Sequence, residues 1–423
     1  MIILYTLLQL ILLPFLCIPL ALISLAIPRY RLRSLRRLGI GLKRQRKKDT
    51  HGKTTIWVHA LSVGEVTSAL PLLSALRKEI PDLELVFSTT TRSGEGVAAR
   101  LLTGKVDRFV AFPFDFLPVV NFFINTVQPD LFILIETDFW PAMLSSLQKR
   151  NIPSLLVNGR ISEKSFRSYQ RYSFFFRPLF ASFHTLSMQT ERDKDNLIKL
   201  GVDHRQIETL GNLKYDTALY SSALREQHLS FKLPQFQQLF VAGSTHEGEE
   251  EIILASFKEL KADFPDFYMI IAPRDVSRGK DIQRMAADLD LQANCRSRIN
   301  AGGKDILVLD TIGELNTVYS HAHIAFVGGS FVEKGGHNPI EPAIFSVPVL
   351  FGPHMEDFSE ISEELITAGG AVRVADGTEL TRMLRKLLHD RELLAHKGEA
   401  ARNFILSQQG VIQNHIDLIK TML

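Results

Sequence analysis

Two glutamates stand where apolar runs stop, and either could move a proton. Glu65 lies in Ser62-Val63-Gly64-Glu65, after the apolar run Thr54–Ala60 and just before a helix-like stretch from Val66 to Glu79. A carboxylate placed there can take a proton from an attacking hydroxyl. It can equally be a capping acid, favoured beside the positive end of a helix dipole. Glu136 closes the run Asp130–Ile135 and heads Glu136-Thr137-Asp138-Phe139-Trp140-Pro141. An acid at a strand end points into the crevice where open α/β sheets hold ligands, or else ties down the next loop. Lys214, in Gly211–Asp216, could reach a phosphate or a growing negative charge; a lone lysine is also commonly just solvated.

A second set of residues suits the handling of anions. Val241–Glu250 reads as a strand, a small-residue turn and an acid-rich helix start. Pro273-Arg274 ends another strand, and arginine can clamp a phosphate with two parallel bonds. Ile312-Gly313-Glu314 follows a third, where Glu314 could accept from a ribose diol or a base edge. Phe326–Pro342 carries two Gly-Gly pairs and then His337-Asn338-Pro339-Ile340-Glu341-Pro342, with proline near the start of a helix. A glycine-rich turn before a helix N-terminus is a phosphate cradle, and Glu341 could hold ribose hydroxyls. The stretch matches neither GxGxxG nor GxxxxGK[ST], so NAD and P-loop readings lack a motif. His59, His246 and His337 are isolated in sequence and read as structural or hydrogen-bonding. No metal-ligand spacing occurs, and no metal is expected.

The elements that must position these groups alternate. Strands are expected at Thr54–Ala60, Glu84–Thr89, Asp130–Glu136 and Ile152–Asn158, with loops and helices between them. The pattern restarts with strands at Leu239–Gly243, Tyr268–Ala272, Ile306–Leu309, Ile324–Val327 and Val347–Phe351, and a helix over Glu247–Leu260. This is α/β architecture used twice: one doubly wound domain over 54–215 and another over 216–423, joined through a polar stretch near Asn212–Phe231.

The chain has 423 residues, enough for two domains, and only two cysteines, Cys17 and Cys295, which excludes a disulfide framework or a structural zinc site. Ten lysines and arginines fall between Arg29 and Lys48 with no acid, so a chain of net charge +3 is net −7 elsewhere. The basic residues therefore do not form a nucleic-acid footprint on the domains. They follow residues 1–28, which carry no charged side chain. That run is long enough to cross a bilayer, with a basic segment over 29–53 kept on the cytoplasmic side. Pro14 and Pro19 leave a hairpin or monotopic insertion open. Arg167, Arg171 and Arg177 interleave with Tyr169, Tyr172 and Phe174–Phe176, which suits either a membrane face or an amphipathic core helix.

Taken in order, SVGE, TTTRSG, ETDFWP, NGRIS, GNLKYD, VAGSTHEGEE, APR, DTIGEL and FVGGSFVEKGGHNPIEP resemble the 3-deoxy-D-manno-octulosonic acid (Kdo) transferase family of lipopolysaccharide biosynthesis, over Trp57 to Phe358. The resemblance implies a GT-B glycosyltransferase: two Rossmann-like doubly wound domains facing a cleft, acceptor domain first and CMP-sugar domain second, behind an N-terminal membrane anchor. It implies inverting transfer of Kdo from CMP-Kdo to a lipid A precursor (lipid IVA), the first step of inner-core assembly, on the cytoplasmic face of a bacterial inner membrane. No cofactor, metal or nucleic acid is implied. Glu65 would be the base, with Glu136 and Lys214 as transition-state stabilisers. Pro273, Arg274, Ile312, Gly313, Glu314, Asn338, Pro339, Ile340 and Glu341 would hold CMP. The chain departs from the family pattern at Asp138, Phe139, Gly159 and Asp275. A GT-B enzyme using a UDP-sugar on another lipid, or a non-catalytic membrane-bound binding protein, are the alternatives.

Overall fold

The computed structural model describes residues 5–7, 9, 11, 15, 28–42, 53–224, 229, 231, 233–298 and 304–423. These form two compact units, one of residues 1–217 with 410–423 and one of residues 218–409.

The first unit is built on a seven-stranded parallel sheet: β1 (Thr54–Ala60), β2 (Leu83–Thr89), β3 (Arg108–Ala111), β4 (Leu131–Ile135), β5 (Ser154–Gly159), β6 (Thr185–Met188) and β7 (Ile207–Thr209), in the order β3-β2-β1-β4-β5-β6-β7. Continuous apolar runs such as Leu131–Ile135, with every residue buried, are what a parallel sheet covered on both faces requires. The strand order reverses between β1 and β4, where Ile56 pairs with Leu131 and His59 with Leu134. Loops leaving the carboxyl ends of these two strands part to opposite faces, opening the crevice in which such sheets bind ligands.

The second unit repeats the plan with β8 (Gln238–Thr245), β9 (Phe267–Pro273), β10 (Ala293–Cys295), β11 (Ile306–Val308), β12 (Ile324–Val327), β13 (Val349–Phe351) and β14 (Ala371–Arg373). Its order is β10-β11-β9-β8-β12-β13-β14, all parallel, with the reversal between β8 and β12.

Three features differ from the sequence reading. The polar joining stretch is largely helix, Leu213–Leu224. Residues 410–423 do not stay with the second domain as the 216–423 boundary has it. Their helix, Val411–Met422, lays Val411, Ile416 and Ile419 against the first unit's core beside Val66, Leu72 and Leu76 of the helix Val63–Glu79. The Asp216 carboxylate accepts from the backbone N–H of Gly410 (3.2 Å) and Ile412 (2.7 Å), satisfying donors that a helix start leaves unpaired.

The third concerns the N-terminus. Among the described residues no helix is long and apolar enough to cross a membrane, so a single spanning anchor over 1–28 is not supported. Most of that stretch, Cys17, Pro14 and Pro19 included, lies outside the described residues, as do 43–52 of the basic segment. What is described of the basic segment is fastened to the first unit. Arg37 donates to the Phe112 carbonyl at 3.0 Å and lies over the Phe114 ring, and Arg33 pairs with Glu95 at 3.2 Å.

Replacing Asp216 by alanine should cost the first unit about 1 kcal/mol, the usual loss for a helix N-terminal acceptor. Urea unfolding followed by the fluorescence of Trp57 and Trp140 should show it as a lower midpoint.

Candidate active site

In the first unit the loop after β1 turns directly into the helix Val63–Glu79. Ser62 caps it, its hydroxyl accepting from Glu65 N–H at 3.4 Å, so Glu65 sits inside the first turn rather than in a turn before the helix. Its carboxylate reaches back and accepts from Leu61 N–H at 2.5 Å. This is capping-box geometry shifted back by one residue. The capping and catalytic readings therefore coexist. Glu65 is 7% exposed, and burial lifts its carboxyl from an ordinary 4.5 to about 7. The negative charges of Glu136 and Asp138 push the same way, while the Leu61 and Ser62 bonds oppose them. A carboxyl near neutrality is what a general base needs.

Glu136 follows β4 across the reversal point. Its φ of +63° is a left-handed conformation that side chains other than glycine seldom adopt, and Asn158, near the end of β5, has the same φ. Strain at such positions persists only where surrounding bonds fix it. Here Glu136 N–H donates to Val157 at 2.8 Å, and Asn158 Nδ2 donates to Glu136 Oε1 at 3.3 Å. Asn158 Oδ1 in turn accepts from Leu213 N–H at 3.0 Å. Lys214 N–H donates to Asn212 Oδ1 at 3.0 Å, and Asn212 donates to Gln189 at 2.9 Å. The structure thus ties Glu136 and the start of the Lys214 helix into one network, with Glu65 close enough to feel the charge of Glu136. Gln189, Asn212 and Asn158 are the members that motif reading missed. Asn158 lay in the NGRIS motif but had no chemistry attached to it.

Arg167, Arg171 and Arg177 lie on the helices Glu163–Arg171 and Ser173–Phe180, and their aromatic neighbours divide between the two readings. Tyr169 and Phe176 pack on Phe139 at 5.6 and 5.3 Å, whereas Phe174 is 69% exposed and Tyr172 45%.

In the second unit the residues singled out gather at the carboxyl edge of the sheet. Pro273 ends β9, and Arg274 donates its N–H to Thr245 at 2.8 Å while its side chain is exposed. After β11, Ile312 stands 82% exposed beside Gly313, whose φ of +96° favours glycine. Glu314 accepts from Arg296 at 3.2 Å and from Thr311. Asn338 accepts from Ile340 N–H at 3.2 Å, and Glu341 follows in a helix of only four residues, Ile340–Ala343. So short a helix adds little dipole to a phosphate cradle. Asp275 caps the next short turn by accepting from Ser277 N–H at 3.0 Å, leaving Arg274 in place.

The acid-rich helix start has a sharper purpose than dipole matching. Glu249 is fully buried and accepts from the N–H groups of His246 (2.9 Å), Gly329 (2.7 Å) and Phe331 (3.2 Å). It locks the loop after β8 to the loop after β12. Gly328 makes this approach feasible, since a Cβ there would come 2.5 Å from the Glu249 carboxylate. The lock brings His246 and His337 together, Nε2 to Nε2 at 2.8 Å with rings parallel. Sequence spacing gave no sign of this pair. Among the described residues no group of acids, histidines and cysteines could hold a metal ion.

Residues 33–217 match the family model described as 3-Deoxy-D-manno-octulosonic-acid transferase (kdotransferase). The 3-deoxy-D-manno-octulosonic acid transferase of Haemophilus influenzae is 32% identical over 99% of this chain and 98% of its own length. The chain belongs to the 3-deoxy-D-manno-octulosonic acid transferase family. The enzyme of that name from Rickettsia felis is 33% identical over 88% of this chain and 80% of its own. Among solved structures, the UDP-GlcNAc 2-epimerase of Neisseria meningitidis covers 87% of this chain and 100% of its own at a TM-score of 0.64 and 14% identity. A glycosyltransferase of Rickettsia africae covers 88% and 99% at a TM-score of 0.56 and 13% identity. Both show a shared fold alone. It is the two-unit, parallel-sheet arrangement of GT-B glycosyltransferases and of these epimerases.

Because Glu65 binds its proton more tightly folded than unfolded, ionising it costs the fold stability. Stability should decline as pH rises from about 4.5 to about 7, and Glu65→Gln should flatten that decline. Carboxyl NMR of Glu136→Gln should place the Glu65 midpoint below that of the wild type, because one like charge is gone.

Proposed function

We propose that this chain transfers Kdo from CMP-Kdo to a hydroxyl of a lipid A precursor, lipid IVA, with inversion at the sugar. The observation that carries the proposal is Glu65: a buried carboxyl poised near pH 7 beside Glu136, in a chain aligned nearly end to end with an enzyme named for this sugar. The ionised Glu65 takes the proton of the acceptor hydroxyl as its oxygen bonds to the anomeric carbon, and CMP leaves with the electron pair of the broken bond. Glu136, by its charge, keeps Glu65 basic, and the Lys214 ammonium offsets negative charge in the transition state. In the second unit Arg274 pairs with the donor phosphate, Glu314 and Glu341 accept from hydroxyls of the nucleoside, and the backbone around Pro273, Ile312, Gly313, Asn338, Pro339 and Ile340 shapes the CMP site. These residues supply charge compensation without a metal.

A lipid acceptor calls for a membrane-facing surface, and the first unit offers one. An open cavity of about 1160 Å³ is lined by Leu32, Leu35, Ile40, Phe109 and Phe123 with Arg33, Arg36 and Arg92 around them. Its wall at Thr89 donates a hydrogen bond to the carbonyl of Leu61, the residue whose N–H holds Glu65. Basic and apolar side chains together suit an anionic membrane interface. With the uncharged 1–28 stretch, they support a reading in which the protein works at the cytoplasmic face of a bacterial inner membrane.

Purified protein given CMP-Kdo should release CMP only when lipid IVA is present. Activity should rise with pH through about 7, and Glu65→Gln should lower kcat by at least about 100-fold, the span of general-base catalysis. Release from UDP-sugars but not from CMP-Kdo would replace the donor in this reading. CMP binding without turnover under any acceptor would leave a non-catalytic binding protein.

A further inference from the structure

The His246–His337 pair has no part in the chemistry above, yet it lies at the reversal point of the second sheet, where the loops after β8 and β12 meet. Its geometry fixes its proton inventory. Two neutral imidazoles carry two N–H hydrogens on four ring nitrogens. The 2.8 Å contact between Nε2 atoms uses one of them as Nε2–H···Nε2. One ring then has an Nδ1–H and the other a bare Nδ1, both turned away from the shared bond. A single proton from solvent fills the bare Nδ1, makes both outer nitrogens donors, and gives the pair one positive charge. Gly329 leaves room for this pair, since a Cβ there would come within 3.1 Å of the His337 ring and 3.4 Å of the His246 ring.

The charges around the pair come from three loops. After β9 come Arg274 and Arg278, after β12 Lys334, and after β8 the Glu249 carboxylate, which is occupied by backbone N–H groups. Arg278 is neutralised by Glu250 at 2.6 Å and Glu247 at 3.4 Å. Arg274 and Lys334 make no ion pair among the described residues. Burial first, and these two cations second, keep the pair neutral. His337 is held down to about 4 by burial and then by Arg274, and His246 is lowered by burial and then by Lys334. An anion on Arg274 offsets one of the opposing charges and adds an attracting one, which favours the protonated pair.

We propose that His246, His337 and Arg274 form an anion subsite that takes up one proton together with a phosphoryl group of the donor and returns it when the product anion leaves. This rests on the second unit being the CMP-sugar domain. A sugar nucleotide of this class carries one negative charge on its phosphodiester. When the sugar–oxygen bond breaks, the electron pair stays on the phosphate, and the new charge meets the proton already stored on the pair.

The test uses full-length protein labelled with ¹⁵N-histidine, and sulfate as the probe, because its charge stays constant across the titration. Sulfate should raise the protonation midpoint of the pair by about three pH units, from about 4 toward neutrality, the upper end of what an opposite charge in contact does. Arg274→Gln should abolish the rise, and His246→Gln should remove it from His337 while cytidine binding shows the variant folded. A second arm uses the methyl ester of CMP, a phosphodiester monoanion like the donor. If neither probe moves the midpoint, or if the rise survives Arg274→Gln, the inference is wrong. If sulfate moves it but the methyl ester does not bind, the subsite stands and the nucleotide reading of this unit fails.

Discussion

Taking a carboxylate out of water costs several kcal/mol unless N–H groups or cations replace the water it loses. The protein does this at the first loop of each sheet; burial raises both carboxyls, but their partners differ. Glu249 is given three backbone N–H partners, two of them from the loop after β12, and it works as a clamp between two loops. Glu65 is given one N–H, from Leu61, and has acidic neighbours. It is left short of compensation, and that shortfall keeps a proton on it until near neutral pH. The remaining site geometry depends on this difference. Glu249 fixes where the loops after β8 and β12 stand, and the Glu65 carboxyl is left near the neutral range.

How much of this could be read from the sequence depended on the length of the signal. Strands β1, β2, β4, β8, β9 and β12 are long or uniformly apolar and were legible within a residue or two. Strands β3, β6, β7, β10 and β14 have three or four residues each, too few for a period to register. The helix Leu213–Leu224 went unread because Lys214, Asp216 and Thr217 break up its apolar face near its start. The catalytic candidates were legible as acids at strand ends, since topology alone sends those loops to one edge. What could not be read were pairings across long separations. His246 with His337, and Asp216 with Gly410, carry no local pattern.

Backbone strain marks the same edge. Glu136 and Asn158 share a left-handed φ on adjacent strands, β4 and β5, and each is held by the other's loop. Leu213 N–H then joins them to the segment bearing Lys214. The Asn158 bond to the Glu136 carboxylate thus depends on both strained positions.

The helix Val411–Met422 covers the helix that carries Glu65, yet the whole second unit lies between them in the chain. During synthesis the first sheet can form early, but the seam over Val66, Leu72 and Leu76 stays wet until the second unit has been made. The helix that carries Glu65 therefore gains its apolar cover last. A nascent chain carries an open apolar seam on that helix, and the first unit closes only when the segment beyond the second has been made.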